Sequence, residues 1–253
     1  MTELGYIILA SAAGLIIGSF INVCLYRIPN DLSIVTGNRG RSMCPICKQT
    51  LAWKDLIPII SYILLKGHCR YCGKRISLRY PIVESIYGIV WAFLAWYYGA
   101  GMKAVLISAY FSILFPLAYI DYRTMEISDV FPILILGLSL ISLPISGFPD
   151  FGQRLLGVII VSVPMLALAI LFQGFGMGDV LLMAVSGFFL GWKVILLAFF
   201  IAIMTGGIHA IWLLAKSGAK TKIPFAPYLS VGLMIGAIWT DPIIEWYWKL
   251  FAY

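Results

Sequence analysis

Long uncharged runs set the pattern of this chain. Residues 4–26, 85–102, 104–120, 130–149, 155–178, 180–192, 194–215 and 223–240 hold no Asp, Glu, Lys or Arg. Seven of the eight have 17 to 24 residues, enough for a helix to cross a hydrocarbon core of about 30 Å. Eight membrane crossings are therefore expected, in an all-α polytopic fold. The sixth run, 180–192, has only 13 residues. That is roughly 20 Å of helix, so it is expected to be tilted, broken or to begin inside the bilayer. One polar stretch, 27–81, interrupts the pattern with Gly, Pro, Arg and paired Cys. It reads as a small insert between a first crossing, 1–26, and a membrane core over 82–253. An insert of that size builds little core without a staple. No repeat with a period of about 20 to 50 residues is expected.

Composition agrees with a membrane protein: 62% of residues are hydrophobic, 11% are charged and the mean hydropathy is +0.97. The basic residues orient the chain. With the N-terminus outside, the inner loops are 27–84, 121–129, the neighbourhood of Asp179, and 216–222. These hold 14 of the 18 Lys and Arg, leaving Lys103, Arg154, Lys193 and Lys249 outside. Arg27 follows the first run and nothing basic precedes it, which predicts a retained anchor rather than a cleaved signal. Topology accounts for most of the net charge of +7, so no nucleic-acid partner is implied. The bilayer is the partner that composition demands.

The insert carries Cys44-x2-Cys47, 21 intervening residues, then Cys69-x2-Cys72. Two such pairs closing on one ion form a four-cysteine zinc-ribbon pattern, with a spacer just beyond the usual length. Two disulfides are the alternative, disfavoured because the topology puts these thiols in a reducing compartment. With four protein ligands such a zinc site is closed and structural. His68 reads as a surface neighbour and Cys24 as a packed small residue in the first helix.

Two acids stand apart from the rest. Asp121 follows the run 104–120 and Asp179 follows 155–178, and both runs travel from outside to inside. Both carboxylates therefore arrive at one membrane level. A charged side chain at membrane depth is costly and usually faces a cavity or a site. Two close carboxylates cannot both ionise, so one can serve as base and the other as acid toward water and a peptide carbonyl. The glycines at 174, 176 and 178 would let backbone and substrate come close to Asp179. The competing reading is helix capping. Asp129, directly before the run 130–149, reads as an N-cap, and Asp179 could cap the sixth helix. Asp121 caps no adjacent run, and Glu126 reads as a solvated loop charge. Asn22 and Arg27 are either interfacial anchors or site residues. Pro227 suits the first turn of the last helix.

Taken together, "GSFINVCLYRIP" (18–29), the two Cys pairs, "RYPIVE" (79–84), "DYRTMEISD" (121–129), "GFGMGD" (174–179) and "IPFAPYL" (223–229) resemble the bacterial type IV prepilin peptidases. The resemblance spans nearly the whole chain in one order. It implies a polytopic membrane fold with a zinc-binding cytoplasmic insert. It also implies a GxGD-type aspartyl protease of the inner membrane that removes the leader of type IV prepilins or pseudopilins. By motif, the catalytic pair falls on Asp121 and Asp179 and the zinc ligands on Cys44, Cys47, Cys69 and Cys72. Many members also methylate the new N-terminal amine with S-adenosylmethionine, a role associated with the N-terminal half. Two departures stand out: Ile127-Ser128-Asp129 replaces a usual Leu/Ile-Pro-Asp, and Leu181 replaces a usual lysine. A methyltransferase-only relative and a transporter using both aspartates as a proton relay are the alternatives. The transporter would carry internal repeats, which are not evident.

Overall fold

The computed structural model describes residues 2–30, 32, 42–172, 175–217 and 223–251. Arg39, Arg41, Gly174, Lys220 and Lys222, all used in the sequence reading, lie outside the described residues. The described chain is helical: α1 (Glu3–Arg27), α2 (Ile60–Leu64), α3 (Arg79–Tyr98), α4 (Met102–Thr124), α5 (Val130–Ile141), α6 (Phe151–Phe172), α7 (Met177–Leu190), α8 (Trp192–Ser217) and α9 (Ala226–Phe251). Apart from the five-residue α2, each helix falls on one of the eight uncharged runs. Five of them, α1, α4, α6, α8 and α9, are long and apolar enough to cross a membrane.

Two helices are short. α7 has 14 residues, about 21 Å, in keeping with its short run. α5 has only 12, about 18 Å, although the run 130–149 promised a full-length helix. The cause is Pro144. Its ring disfavours helical geometry at Leu143, and the chain passes into turns after Ile141. Gly147, at φ 85°, completes the reversal toward α6.

The chain divides into two compact units, Met1–Ser108 and Ala109–Tyr253. In the first, α3 packs along α1. In the second, α7 is central and touches α5, α6, α8 and α9, with Leu182, Met183 and Phe189 fully buried. Helices surrounded by lipid gain no hydrophobic drive from pairing, so close approach at small residues supplies the contact. A Cβ on Gly18 would stand 2.9 Å from the Glu84 backbone, and one on Gly14 would overlap the backbone of Tyr87. Gly157 and Gly187 bring the backbones of α6 and α7 together in the same way, and Gly232 lies against Ala198 in the α8–α9 pair.

Arg154, expected on the outer side of the membrane, is 1% exposed. Its guanidinium donates to the carbonyls of Pro149 (2.9 Å), Ser139 (3.4 Å), Ser142 (3.2 Å) and Phe188 (3.1 Å), and to Ser142 Oγ (2.9 Å). The rings of Phe148 and Phe188 each lie 5.8 Å from it. Apart from that of Pro149, which precedes α6, these carbonyls belong to the ends of α5 and α7, where unpaired acceptors and negative helix dipole ends accumulate. One buried cation therefore closes the far ends of both short helices.

Candidate active site and metal centre

Asp121 sits in the last turn of α4 and Asp179 in the first turn of α7. Both are buried, at 5% and 7% exposure. They line one cavity of about 320 Å³ with Met125, Glu126, Ile127, Gly176, Met177 and Gly178. Local sequence explains how they meet. α4 ends one turn after Asp121, where Met125 takes a left-handed conformation (φ 56°) and its N–H bonds back to the Asp121 carbonyl at 2.7 Å. The chain then doubles back, so that Ile127 lies over the start of α7. A Cβ on Gly178 would stand 2.9 Å from the Ile127 Cβ. The glycine before Asp179 thus makes room for a neighbouring loop. Gly176 faces the acid itself, since a Cβ there would lie 3.3 Å from Asp179 Oδ2.

The two carboxylates have different surroundings. Asp121 Oδ2 accepts the N–H of Ala226 at 3.2 Å, at the first residue of α9. Asp121 therefore caps a helix 105 positions away in sequence, where amide donors and the positive dipole end favour a negative charge. Asp179 Oδ1 is buried with no hydrogen-bond partner among the described residues. An orphaned oxygen beside a second carboxylate is well placed to carry the proton that the pair must share.

The capping readings fare differently. Asp129 holds the residue before α5, but its backbone is helical (φ −59°, ψ −19°) and its side chain makes no cap bond. A capping oxygen reaches the first-turn amides from an extended backbone, and Asp129 lacks that geometry. Asp179 does not occupy the cap of α7, which is Gly176. Glu126 is exposed, as a loop charge should be, yet it also borders the aspartate cavity. Pro227 lies in the first turn of α9.

In the insert, the four thiols of Cys44, Cys47, Cys69 and Cys72 come within 4.8 Å of one another. Cys44 Sγ and Cys72 Sγ are 4.0 Å apart, double a disulfide bond and close to the edge of about 3.8 Å of a tetrahedron with 2.3 Å metal–sulfur bonds. All four cysteines are free thiols, so the donor set fits a metal ion. The two halves are built alike, at an offset of 25 positions. Cys44 N–H bonds to Gln49 O and Cys69 N–H to Lys74 O. Lys48 N–H returns to Cys44 O and Gly73 N–H to Cys69 O. Lys48 (φ 58°) and Gly73 (φ 68°) turn the two knuckles through the same left-handed step. This local repeat falls within the range of periods where none was expected, and it is masked in the sequence because only the cysteines and the backbone pattern recur. His68 is outside the cluster, with Nδ1 against Lys66 O at 2.7 Å. Cys24 is buried in α1.

Fold and site together define a multi-pass helical membrane protein with a paired-aspartate cavity and a four-cysteine knuckle. Two family models match it: the bacterial peptidase A24 N-terminal domain over residues 12–98, and the type IV leader peptidase family over residues 108–211. A prepilin leader peptidase/N-methyltransferase of Bacillus subtilis is 33% identical over 240 residues, covering 94% of this chain and 96% of that one. Proteins of the same name from Stutzerimonas stutzeri (29% identical, 96% and 94% covered) and Myxococcus xanthus (36%, 81% and 62%) are similar. No solved structure matches significantly. The chain belongs to the type IV leader peptidase family.

Proposed function

We propose that this protein is an aspartyl endopeptidase that removes the leader of type IV prepilins or pseudopilins at the cytoplasmic face of the inner membrane, and then methylates the new N-terminus. The observation that supports it best is the shared cavity of Asp121 and Asp179, both inside the region matched by the leader peptidase family. Asp121, held at the start of α9, acts as base and takes a proton from water as the oxygen attacks the scissile carbonyl carbon. Asp179 gives its proton to the carbonyl oxygen. The tetrahedral adduct then collapses, the C–N bond breaks, and the leaving nitrogen takes up the proton held by the dyad. The charge distribution supports eight crossings with the N-terminus outside and this cavity facing the cytoplasm. S-adenosylmethionine would supply the methyl group. The peptidase family region contains both acids, so the transporter and methyltransferase-only readings are not favoured.

The test is incubation of the purified protein with a leader-bearing prepilin peptide, with and without S-adenosylmethionine. Cleavage should occur in both cases and a methylated product only with the cofactor. No cleavage by folded protein would overturn the peptidase reading.

Two further outcomes are expected. The metal is zinc, one per chain, held by the four paired cysteines. Cys72→Ser should lose it and loosen the insert, because structural zinc binding supplies on the order of 10 kcal/mol to the fold it closes. Elemental analysis of protein purified under reducing conditions checks this, and a metal-free preparation with an intact insert would refute it. Gly178→Ala should leave the fold in place but push α7 or the 125–127 loop aside. A displacement of about 1 Å at the acid costs on the order of a hundredfold in rate, measurable as loss of cleavage at unchanged melting temperature.

A further inference from the structure

The insert carries an exposed apolar face. Trp53 and Leu56, in a 3-10 turn over Trp53–Leu56, and Ile60, Ile63 and Leu64 in α2 follow one another at steps of three or four residues. That spacing suits one side of a helical segment, and the turn packs against α2. Trp53 is 71% exposed, Ile63 65% and Leu64 75%. Large apolar side chains gathered in the open mark a surface that meets lipid or a partner.

This face lies at membrane depth. α1 is long and apolar enough to cross a bilayer. Its Gly18 stands nine positions before its last residue, Arg27, about 13 Å of helix. A Cβ on Gly18 would stand 2.9 Å from the Glu84 backbone, and Glu84 Oε2 accepts the N–H of Ile59 at 2.7 Å. Ser61, Tyr62 and Leu65 line a cavity together with Ser19, Asn22 and Val23 of α1. The insert therefore returns alongside the last turns of α1 instead of staying beyond the helix end. Backbone polar groups placed against lipid must be satisfied within the protein. Here the N–H groups of Ser61, Ile63 and Leu65 bond to the carbonyls of Ile57, Ile59 and Ser61, and the buried Glu84 serves that of Ile59.

We propose that residues 53–64 are a membrane-seated anchor, with Trp53, Leu56, Ile60, Ile63 and Leu64 at the acyl chains and anionic phospholipid headgroups around the neighbouring cations. The anchor is independent of the proposed cleavage chemistry. Its composition is that of an interfacial segment, with Trp, Leu and Ile on one side and Lys and Arg around them. Lys48, Lys54, Lys66, Arg70, Lys74 and Arg75 are all exposed. Lys54 Nζ lies 5.6 Å from the centre of the Trp53 ring, an amphipathic pair suited to the headgroup level. Asp55 is the only acid between residues 42 and 78. It is engaged by Arg70 Nε at 2.8 Å and by the Tyr71 hydroxyl at 3.3 Å, so no free carboxylate repels an anionic surface. A second copy seated on this face would instead bring like charges together. The Asp55–Arg70 pair also joins the anchor to the Cys69–Cys72 knuckle, so lipid contact holds the thiol cluster at the membrane surface.

The test places the full-length protein in vesicles of phosphatidylethanolamine and phosphatidylglycerol that contain a phosphatidylglycerol with a photoreactive diazirine on its acyl chain. After illumination, peptide mapping should find lipid adducts within 53–64 as well as in α1. The double variant Ile63→Ser/Leu64→Ser should lower the yield at 53–64 by about fivefold relative to α1, with metal content and monodispersity as fold controls. Replacing phosphatidylglycerol by phosphatidylcholine, probe included, should lower it to a similar extent. Adducts in α1 with none in 53–64 would overturn the anchor. Amine-reactive crosslinks joining Lys54 or Lys66 of two copies, in place of the lipid adducts, would assign the face to self-association and overturn it as well. Equal yields in the two lipid mixtures would overturn the preference for anionic headgroups. If the double variant does not fold, the adduct positions in the parent still decide.

Discussion

Asn in place of either Asp121 or Asp179 is expected to abolish leader cleavage, and the double variant should be little worse than either single one. The pair works as a unit: removing one acid deprives the other of its function, so the losses do not add. General acid–base catalysis contributes roughly a hundred- to ten-thousandfold per group, so a fall of at least a thousandfold is expected for each. The fold should survive. Asparagine is isosteric with aspartate, its oxygen can still accept the Ala226 N–H at position 121, and at 179 it occupies the same buried volume. Asp129→Asn is the matched control and should retain full activity, since that carboxylate is exposed and makes no cap bond. Mass spectrometry of a prepilin peptide with time reads the rates. Substantial turnover by Asp179→Asn would sink the dyad.

The largest loss of stability is expected from Arg154→Met. Methionine preserves much of the volume but removes the donor from the half-buried carbonyls of Pro149 and Phe188, and leaves Ser139 O only the Ser142 hydroxyl and Ser142 O only the Ile145 N–H. Bonds from a charged donor are each worth about 1.5–3 kcal/mol. Allowing for partial relaxation, a net loss of about 3–4 kcal/mol is expected. Arg154→Lys should recover little, because a point charge cannot serve carbonyls that radiate from a planar fork. Thermal denaturation in detergent checks both. A melting temperature unchanged in Arg154→Met would show that the two helix ends hold without their cation.

What could be read in advance was whatever depends on short-range pattern. Uncharged runs located the helices because lipid tolerates little else, and C-x2-C pairs announced the four-thiol cluster because tetrahedral thiolate chemistry demands that spacing. Counting crossings suggested that the two aspartates meet, and they do line one cavity. What escaped depends on partners distant in the chain. Asp121 caps α9 through Ala226, a contact no local window contains. The side chain of Arg154 is buried only by the convergence of α5 and α7, which a count of charges along the chain does not contain. The early end of α5 was legible after all: Pro144 stands inside the run, but counting charges alone passes over it. The spacing of Gly14 and Gly18, and of Gly232 and Gly236, also carried a packing signal that composition obscured.

The shortness of α5 and α7 bears on how a hydrolase this greasy obtains its water. Side by side, two helices of about 18 and 21 Å leave roughly a third of an ordinary hydrocarbon thickness unspanned. Their N-terminal starts adjoin the loop and the glycine turn that surround the two acids. Lipid next to such a pair must be pinched thin, or a funnel of solvent must descend to meet it. In either case the nucleophile arrives by way of a deficit in length.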